Sequence, residues 1–139
     1  MQHQKNVLFI CVQNSARSQI AEGFFKKYAG RSIVCSSAGT LPADRVNPDA
    51  IAVMKEVGID ISAVKPKVLT REMLDHASMI INMGCMDNDS CPATLLKNHK
   101  TMEDWGIEDP AGKPIENMRE IRDQIERKVV NLIRQLSEN

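Results

Sequence analysis

Cys11 and Arg17 are separated by Val12, Gln13, Asn14, Ser15 and Ala16, and Ser18 follows. The chemistry this pattern suits is nucleophilic attack within a tetrahedral oxyanion site. A short buried strand running into a tight turn and a helix start aims several backbone N–H groups at one point, at the positive end of the helix dipole, and such a nest holds an anion. The candidate oxyanion-binding residues are therefore Gln13, Asn14, Ser15, Ala16, Arg17 and Ser18. Arg17 adds a planar fork that takes two oxygens at once, where a lysine would offer only a point charge. A cysteine at the mouth of the nest is favoured as thiolate, the form that attacks. Ser18 is placed to donate a hydrogen bond to the sulfur, and Asn14 tolerates the left-handed backbone a tight loop demands. Alone, Cys11 would read as a strand-end cysteine packed as a small hydrophobe. Arg17 at this spacing turns it into a candidate nucleophile.

The elements that must position these residues alternate. Val7, Leu8, Phe9 and Ile10 form a continuous apolar run of strand length, as expected for a central parallel strand covered on both faces. From Arg17 onward Ile20, Ala21, Phe24, Phe25 and Tyr28 recur at helical spacing until Gly30. Residues 32–37 read as a second strand containing Cys35, a packing residue in apolar company. Asn47-Pro48 starts a helix with a cap and a first-turn proline, Ala50, Ile51, Met54 and Val57 mark its buried face, and Gly58 stops it. A short helix over 70–76 precedes a third strand at 78–83, whose methionines read as core filler. Residues 84–100 are irregular and hold Cys85 and Cys91; 101–105 predict a fourth strand, and 106–114 a loop with Asp109-Pro110. The last segment is an amphipathic helix with Met118, Ile121, Ile125, Val129, Leu132 or Ile133, and Leu136 on its apolar side. Alternating strands and helices predict an α/β fold with a parallel sheet, whose sites gather at the carboxyl ends of the strands.

Composition narrows the class. The 139 residues suit one domain spanning 1–139, and 42% hydrophobic with 26% charged residues is ordinary for a soluble globular chain. Eighteen basic and eighteen acidic residues cancel, which argues against nucleic acid or an anionic membrane as partner. No run approaches a membrane span or a signal peptide, so a cytoplasmic location is expected. Four cysteines are too few for a disulfide scaffold and suit catalysis, metal binding or packing. Zinc at Cys85 and Cys91, with His99, is disfavoured because their gap is wide and a fourth ligand is not evident, so no metal is expected.

Together the motifs resemble the thioredoxin-coupled arsenate reductases built on the low-molecular-weight tyrosine phosphatase fold. The resemblance is carried by residues 11–18 with Gln19-Ile20-Ala21-Glu22-Gly23, by Ser37-Ala38-Gly39, Val46-Asn47-Pro48 and Val57-Gly58-Ile59-Asp60-Ile61-Ser62, by the pair Cys85 and Cys91, and by Trp105-Gly106 leading to Asp109-Pro110. It implies a single-domain three-layer sandwich, a four-stranded parallel sheet of order 2-1-3-4 with helices on both faces. That order would set the first and third strands side by side, about 4.8 Å apart, with Cys11 and Cys85 near their carboxyl ends. It also implies catalytic roles for Cys11, Arg17, Cys85, Cys91 and Asp109. Arsenate would bind in the cradle, Cys11 would attack arsenic, and Asp109 would protonate the departing oxygen. Cys85 would then attack Cys11, and Cys91 would attack Cys85, leaving a Cys85–Cys91 disulfide for thioredoxin, with a glutaredoxin or a small thiol as the other route. Six residues of extended chain span about 20 Å and of helix about 9 Å, both beyond the roughly 7 Å between Cα atoms that a disulfide allows, so the last pairing requires that segment to loop back.

Two departures from the pattern matter. Some members bind potassium beside the cradle; Asn14, Glu22 and Ser37 match those ligands, but Lys67 stands where an aspartate is expected. An ammonium there would substitute for the cation, so no cofactor and little potassium dependence are expected. The gap from Cys85 to Cys91 is also one residue shorter than is typical. The competing assignment is a low-molecular-weight tyrosine phosphatase, needing Cys11, Arg17 and Asp109 alone; against it, Ala111 and Gly112 rather than aromatic residues follow Asp109-Pro110. Weak phosphatase activity is expected as a side reaction. Outside enzymes, a thiol sensor or a zinc module would use the same cysteines without turnover. Nothing in the sequence demands more than a monomer.

Overall fold

A computed structural model describes residues 5–84 and 102–137. The elements follow in the order β1 (Asn6–Cys11), α1 (Arg17–Ala29), β2 (Val34–Gly39), α2 (Pro48–Glu56), α3 (Arg71–His76), β3 (Met79–Asn82), β4 (Met102–Asp104) and α4 (Ile115–Ser137). The strands form one sheet of order β2-β1-β3-β4, and every pairing is parallel. This is the expected α/β sandwich and strand order.

The sheet is covered on both faces because β1 is apolar and buried from Val7 to Cys11. Val7, Leu8, Phe9 and Ile10 are wholly buried, and alternation sends them to opposite layers. Val7, Phe9 and Cys11 pack with buried residues of α1, α2 and α4, whereas Leu8 and Ile10 pack with Ala38, Leu74 and Ile80 beneath α3. Phe9 meets Phe25 edge-on and lies 5.7 Å from the Trp105 ring centroid. Each such aromatic pair contributes roughly 0.5–1.5 kcal/mol beyond area burial, and the cluster makes a firm floor two residues below Cys11.

Helix boundaries follow local chemistry. Asn47 caps α2 by accepting from the Asp49 and Ala50 amides ahead of Pro48, and Thr70 caps α3 by accepting from Met73. Gly58 lies just past α2 with φ +83°. Met118, Ile121, Ile125, Val129 and Leu132 bury the expected stripe of α4, and Arg119 and Arg122 tie that helix to Glu56 at the end of α2.

Two expectations needed adjustment. β2 lies two residues beyond the predicted segment, because it pairs along the whole of β1 up to Cys11 opposite Gly39. Tyr28 falls on the apolar stripe of α1 but is 43% exposed, its ring stacked on Phe24 and its hydroxyl donating to Glu126. Between α2 and α3 a parallel bridge from Val68 to Gly39 extends the sheet locally. No helix among the described residues is long and apolar enough to cross a membrane.

Candidate active site

Cys11 ends β1 at the floor of a cavity of about 210 Å³ lined by Val12, Gln13, Ser15, Ala16, Arg17, Asn47, Asp109, Pro110 and Ala111. The walls of the cradle are fixed from outside. Thr40, Leu41, Ala43 and Asn47 donate their backbone N–H groups to the carbonyls of Cys11, Val12, Gln13 and Ser15, at 3.3, 2.9, 2.9 and 2.8 Å. With those carbonyls turned outward, α1 begins at Arg17 with no side-chain cap, so its first-turn amides remain for an anion. Gly39 permits the arrangement: a Cβ there would lie 2.5 Å from the Val12 carbonyl and 2.9 Å from the Asn14 nitrogen.

Two donors reach the Cys11 sulfur. The Ser18 hydroxyl lies 2.9 Å from Cys11 Sγ, and the Asn14 backbone N–H reaches it at 3.2 Å. Asn14 holds the left-handed backbone anticipated from its type, φ +52°. Its amide nitrogen donates to Ser18 Oγ at 2.7 Å and to Ser37 Oγ at 2.9 Å. Its oxygen accepts from the Lys67 amide at 2.8 Å and from Gln19 at 3.1 Å. Ser37 donates in turn to Glu22, a buried carboxylate flanked by Lys26 at 3.0 Å and Lys67 at 3.9 Å. The hydrogen bond to Glu22 holds the Lys26 ammonium above its ordinary pKa. Burial, reinforced by the Glu22 charge, pushes the Cys35 thiol up to about 12, which leaves it an inert packing residue.

Asn14 Oδ1 is thus taken by the Lys67 amide and Gln19, Ser37 Oγ by the Asn14 side-chain amide, and the Glu22 carboxylate by Ser37 and two ammonium groups. This group does not fit a potassium ion. Lys67 Nζ, 3.9 Å from Glu22, sets a positive charge beside that carboxylate.

Arg17 is only 7% exposed. Among the described residues its guanidinium pairs with no carboxylate; Nη1 donates to the Ile107 carbonyl at 2.9 Å. That leaves most of its five N–H donors for a ligand. Ile107 is delivered by the chain after β4, which keeps bonding to the end of β3 through Trp105 N to Asn82 O and Ile107 N to Met83 O. Two residues on, Asp109 borders the same cavity as Cys11 while its Oδ1 accepts from the Ala111 amide at 3.0 Å. It is both a turn residue and a cavity residue.

Of the residues singled out from sequence, Cys11, Gln13, Ser15, Ala16, Arg17 and Asp109 meet at this cavity, with Asn14 and Ser18 directly behind the sulfur. Cys85, Cys91 and His99 lie outside the described residues. Sequence reasoning gave no role to Gln19, to the Asn47 wall or to the Ile107 carbonyl. Gln19 carried a signal, being a polar side chain in the first turn of an apolar helix face. The carbonyl carried none.

The fold and the cradle together define a class. The chain belongs to the low molecular weight phosphotyrosine protein phosphatase family, whose model matches residues 6–139. Within reach of it stand an arsenate reductase of Brevibacillus brevis, 41% identical over 90% of this chain and 91% of that protein, and a glutaredoxin arsenate reductase of Synechocystis, 40% identical over 96% and 99%. The solved structure of an arsenate reductase in the phosphate binding state superposes with a TM-score of 0.83 at 39% identity, covering 95% of this chain and 98% of that one.

Proposed function

We propose that the protein reduces arsenate to arsenite through Cys11, Cys85 and Cys91, regenerated by thioredoxin. Arsenate sits in the cradle with two oxygens on Arg17. The Cys11 thiolate attacks arsenic, and Asp109 protonates the oxygen that leaves as water. The Cys85 thiolate then attacks Cys11 Sγ; the sulfur–arsenic bond breaks with its electron pair staying on arsenic, so arsenic(V) becomes arsenic(III) as the Cys11–Cys85 disulfide forms. Cys91 attacks Cys85, frees the Cys11 thiolate, and leaves the Cys85–Cys91 disulfide to be reduced by the partner dithiol.

The observation that carries this is the β1–β3 pairing. The last residue of β3, Asn82, pairs with Ile10, Met83 donates to the Ile10 carbonyl at 2.8 Å, and Cys85 follows Met83 by two residues in the chain. A phosphatase would need no thiol there. Its aromatic pocket also lacks support, since no aromatic side chain lines the cavity among the described residues.

The test is arsenate-dependent NADPH oxidation coupled through thioredoxin and thioredoxin reductase, on wild type and on Cys85→Ser and Cys91→Ser. Turnover that both substitutions abolish is the expected result. Turnover of Cys91→Ser with glutaredoxin and glutathione would make the third thiol external and overturn the relay. Aryl phosphate hydrolysis that depends on Cys11, with no arsenate-dependent NADPH oxidation, would make the protein a phosphatase.

A further inference from the structure

Gly84 stands where the end of β3 meets the loop after β4, and it touches the oxyanion machinery through the absence of a side chain. Its φ is +130°, and a Cβ there would lie 2.7 Å from the Ile107 carbonyl oxygen, 3.2 Å from the Ile107 nitrogen and 3.1 Å from Arg17 Nη1. The first of these contacts is one that real Cβ atoms do not make with backbone, so one partner would have to move. Both partners belong to a single hydrogen bond, Arg17 Nη1 to Ile107 O at 2.9 Å. The Asn82 side chain fixes the approach from the other side, accepting from the Gly84 amide at 2.9 Å.

We propose that Gly84 is a positioning residue for oxyanion binding, the site at which β3 closes on Ile107 so that the Ile107 carbonyl presets the Arg17 guanidinium. A buried arginine without a carboxylate partner has no other anchor among the described residues, and a fork held before the ligand arrives loses less freedom on binding. Gly84 acts through Arg17 and touches no substrate itself. Its position also joins three things mechanically: the strand leading to Cys85, the oxyanion fork, and the loop bearing Asp109.

The proposal rests on the cradle being an oxyanion site, and inorganic phosphate tests both without turnover. Phosphate protection of Cys11 from iodoacetamide gives an apparent Kd. Wild type should be protected, and failure there would sink the oxyanion site itself. Gly84→Ala should raise the Kd about tenfold or more, while Gly58→Ala, with φ +83° and nothing within 4 Å of an added Cβ, should leave it within about twofold. Nitrogen NMR supplies a readout that general destabilisation would not move: without phosphate, wild type should show a distinct, exchange-protected Arg17 Nη1 resonance that folded Gly84→Ala loses. An unchanged phosphate Kd in Gly84→Ala overturns the proposal. So does an averaged Arg17 resonance in wild type, a measurement that decides the matter even if the variant does not fold.

Discussion

Asn14→Asp is the sharpest probe of how the cradle aims its nucleophile. Ser18 Oγ lies 2.7 Å from Asn14 Nδ2 and 2.9 Å from Cys11 Sγ. An amide nitrogen can only donate, so Ser18 accepts from Asn14 and keeps its own hydrogen for the sulfur. Ser37 likewise accepts from the second Nδ2 hydrogen and spends its own on Glu22. Aspartate preserves the shape and tolerates the left-handed backbone, yet replaces a double donor with an acceptor. Ser18 would then turn its hydrogen toward residue 14 and away from the thiolate. A hydrogen bond to a charged group is worth roughly 1.5–3 kcal/mol, which corresponds to a loss of about 10- to 150-fold in kcat/KM. The fold should weaken too, because the new carboxylate and Glu22 would face each other across Ser37. The assays are the alkylation rate of Cys11 by iodoacetamide and kcat/KM for arsenate. Asn14→Gly is the companion variant: it keeps φ +52° available and lets Ser18 still donate to sulfur, so it should fall less. If Asn14→Asp alkylates Cys11 at the wild-type rate and keeps kcat/KM within about threefold, Asn14 does not direct the hydrogen of Ser18.

Gly39→Ala should lose about 2–4 kcal/mol in denaturant unfolding, since its Cβ would lie 2.5 Å from the Val12 carbonyl and the cradle must shift to admit it. Cys35, its thiol pushed up to about 12, should stay unmodified by iodoacetamide near neutral pH while Cys11 reacts, and should label only after denaturation; labelling in the native protein would contradict its burial. Replacing potassium by tetramethylammonium should not change wild-type activity, because the Lys67 ammonium already stands 3.9 Å from Glu22. Lys67→Met should lower activity and make it respond to potassium, and a steep potassium optimum in wild type would refute the substitution.

What the sequence made legible were features whose cause is local. The uninterrupted apolar run of β1, the Asn47-Pro48 start of α2, the apolar stripe of α4 and the cradle motif each follow from neighbours in the chain. The frame of β2 did not, because Ala38 and Gly39 carry no strand propensity and belong to the strand only through pairing with β1 and the close passage of the cradle above them. Tyr28 fits the helical period but lies where the core has already ended. In the site, residue types and spacing pointed to Cys11, Arg17 and Ser18 together. The support behind them was opaque: Glu22, Ser37 and Lys67 come from three separate segments, known as a group only through family resemblance, and the anchor of Arg17 is a backbone oxygen 90 residues away.

The loop over residues 40–47 holds the cradle through four main-chain hydrogen bonds. Main-chain bonds depend little on which side chains the loop carries, so these four leave the cradle less sensitive to substitution at the rim. Leu41, 64% exposed, and the exposed Asp44 and Arg45 point away from these bonds. One chassis can therefore be refitted for different partners or substrates by changing the rim alone, a latitude that eases divergence between reductases and phosphatases on the same frame.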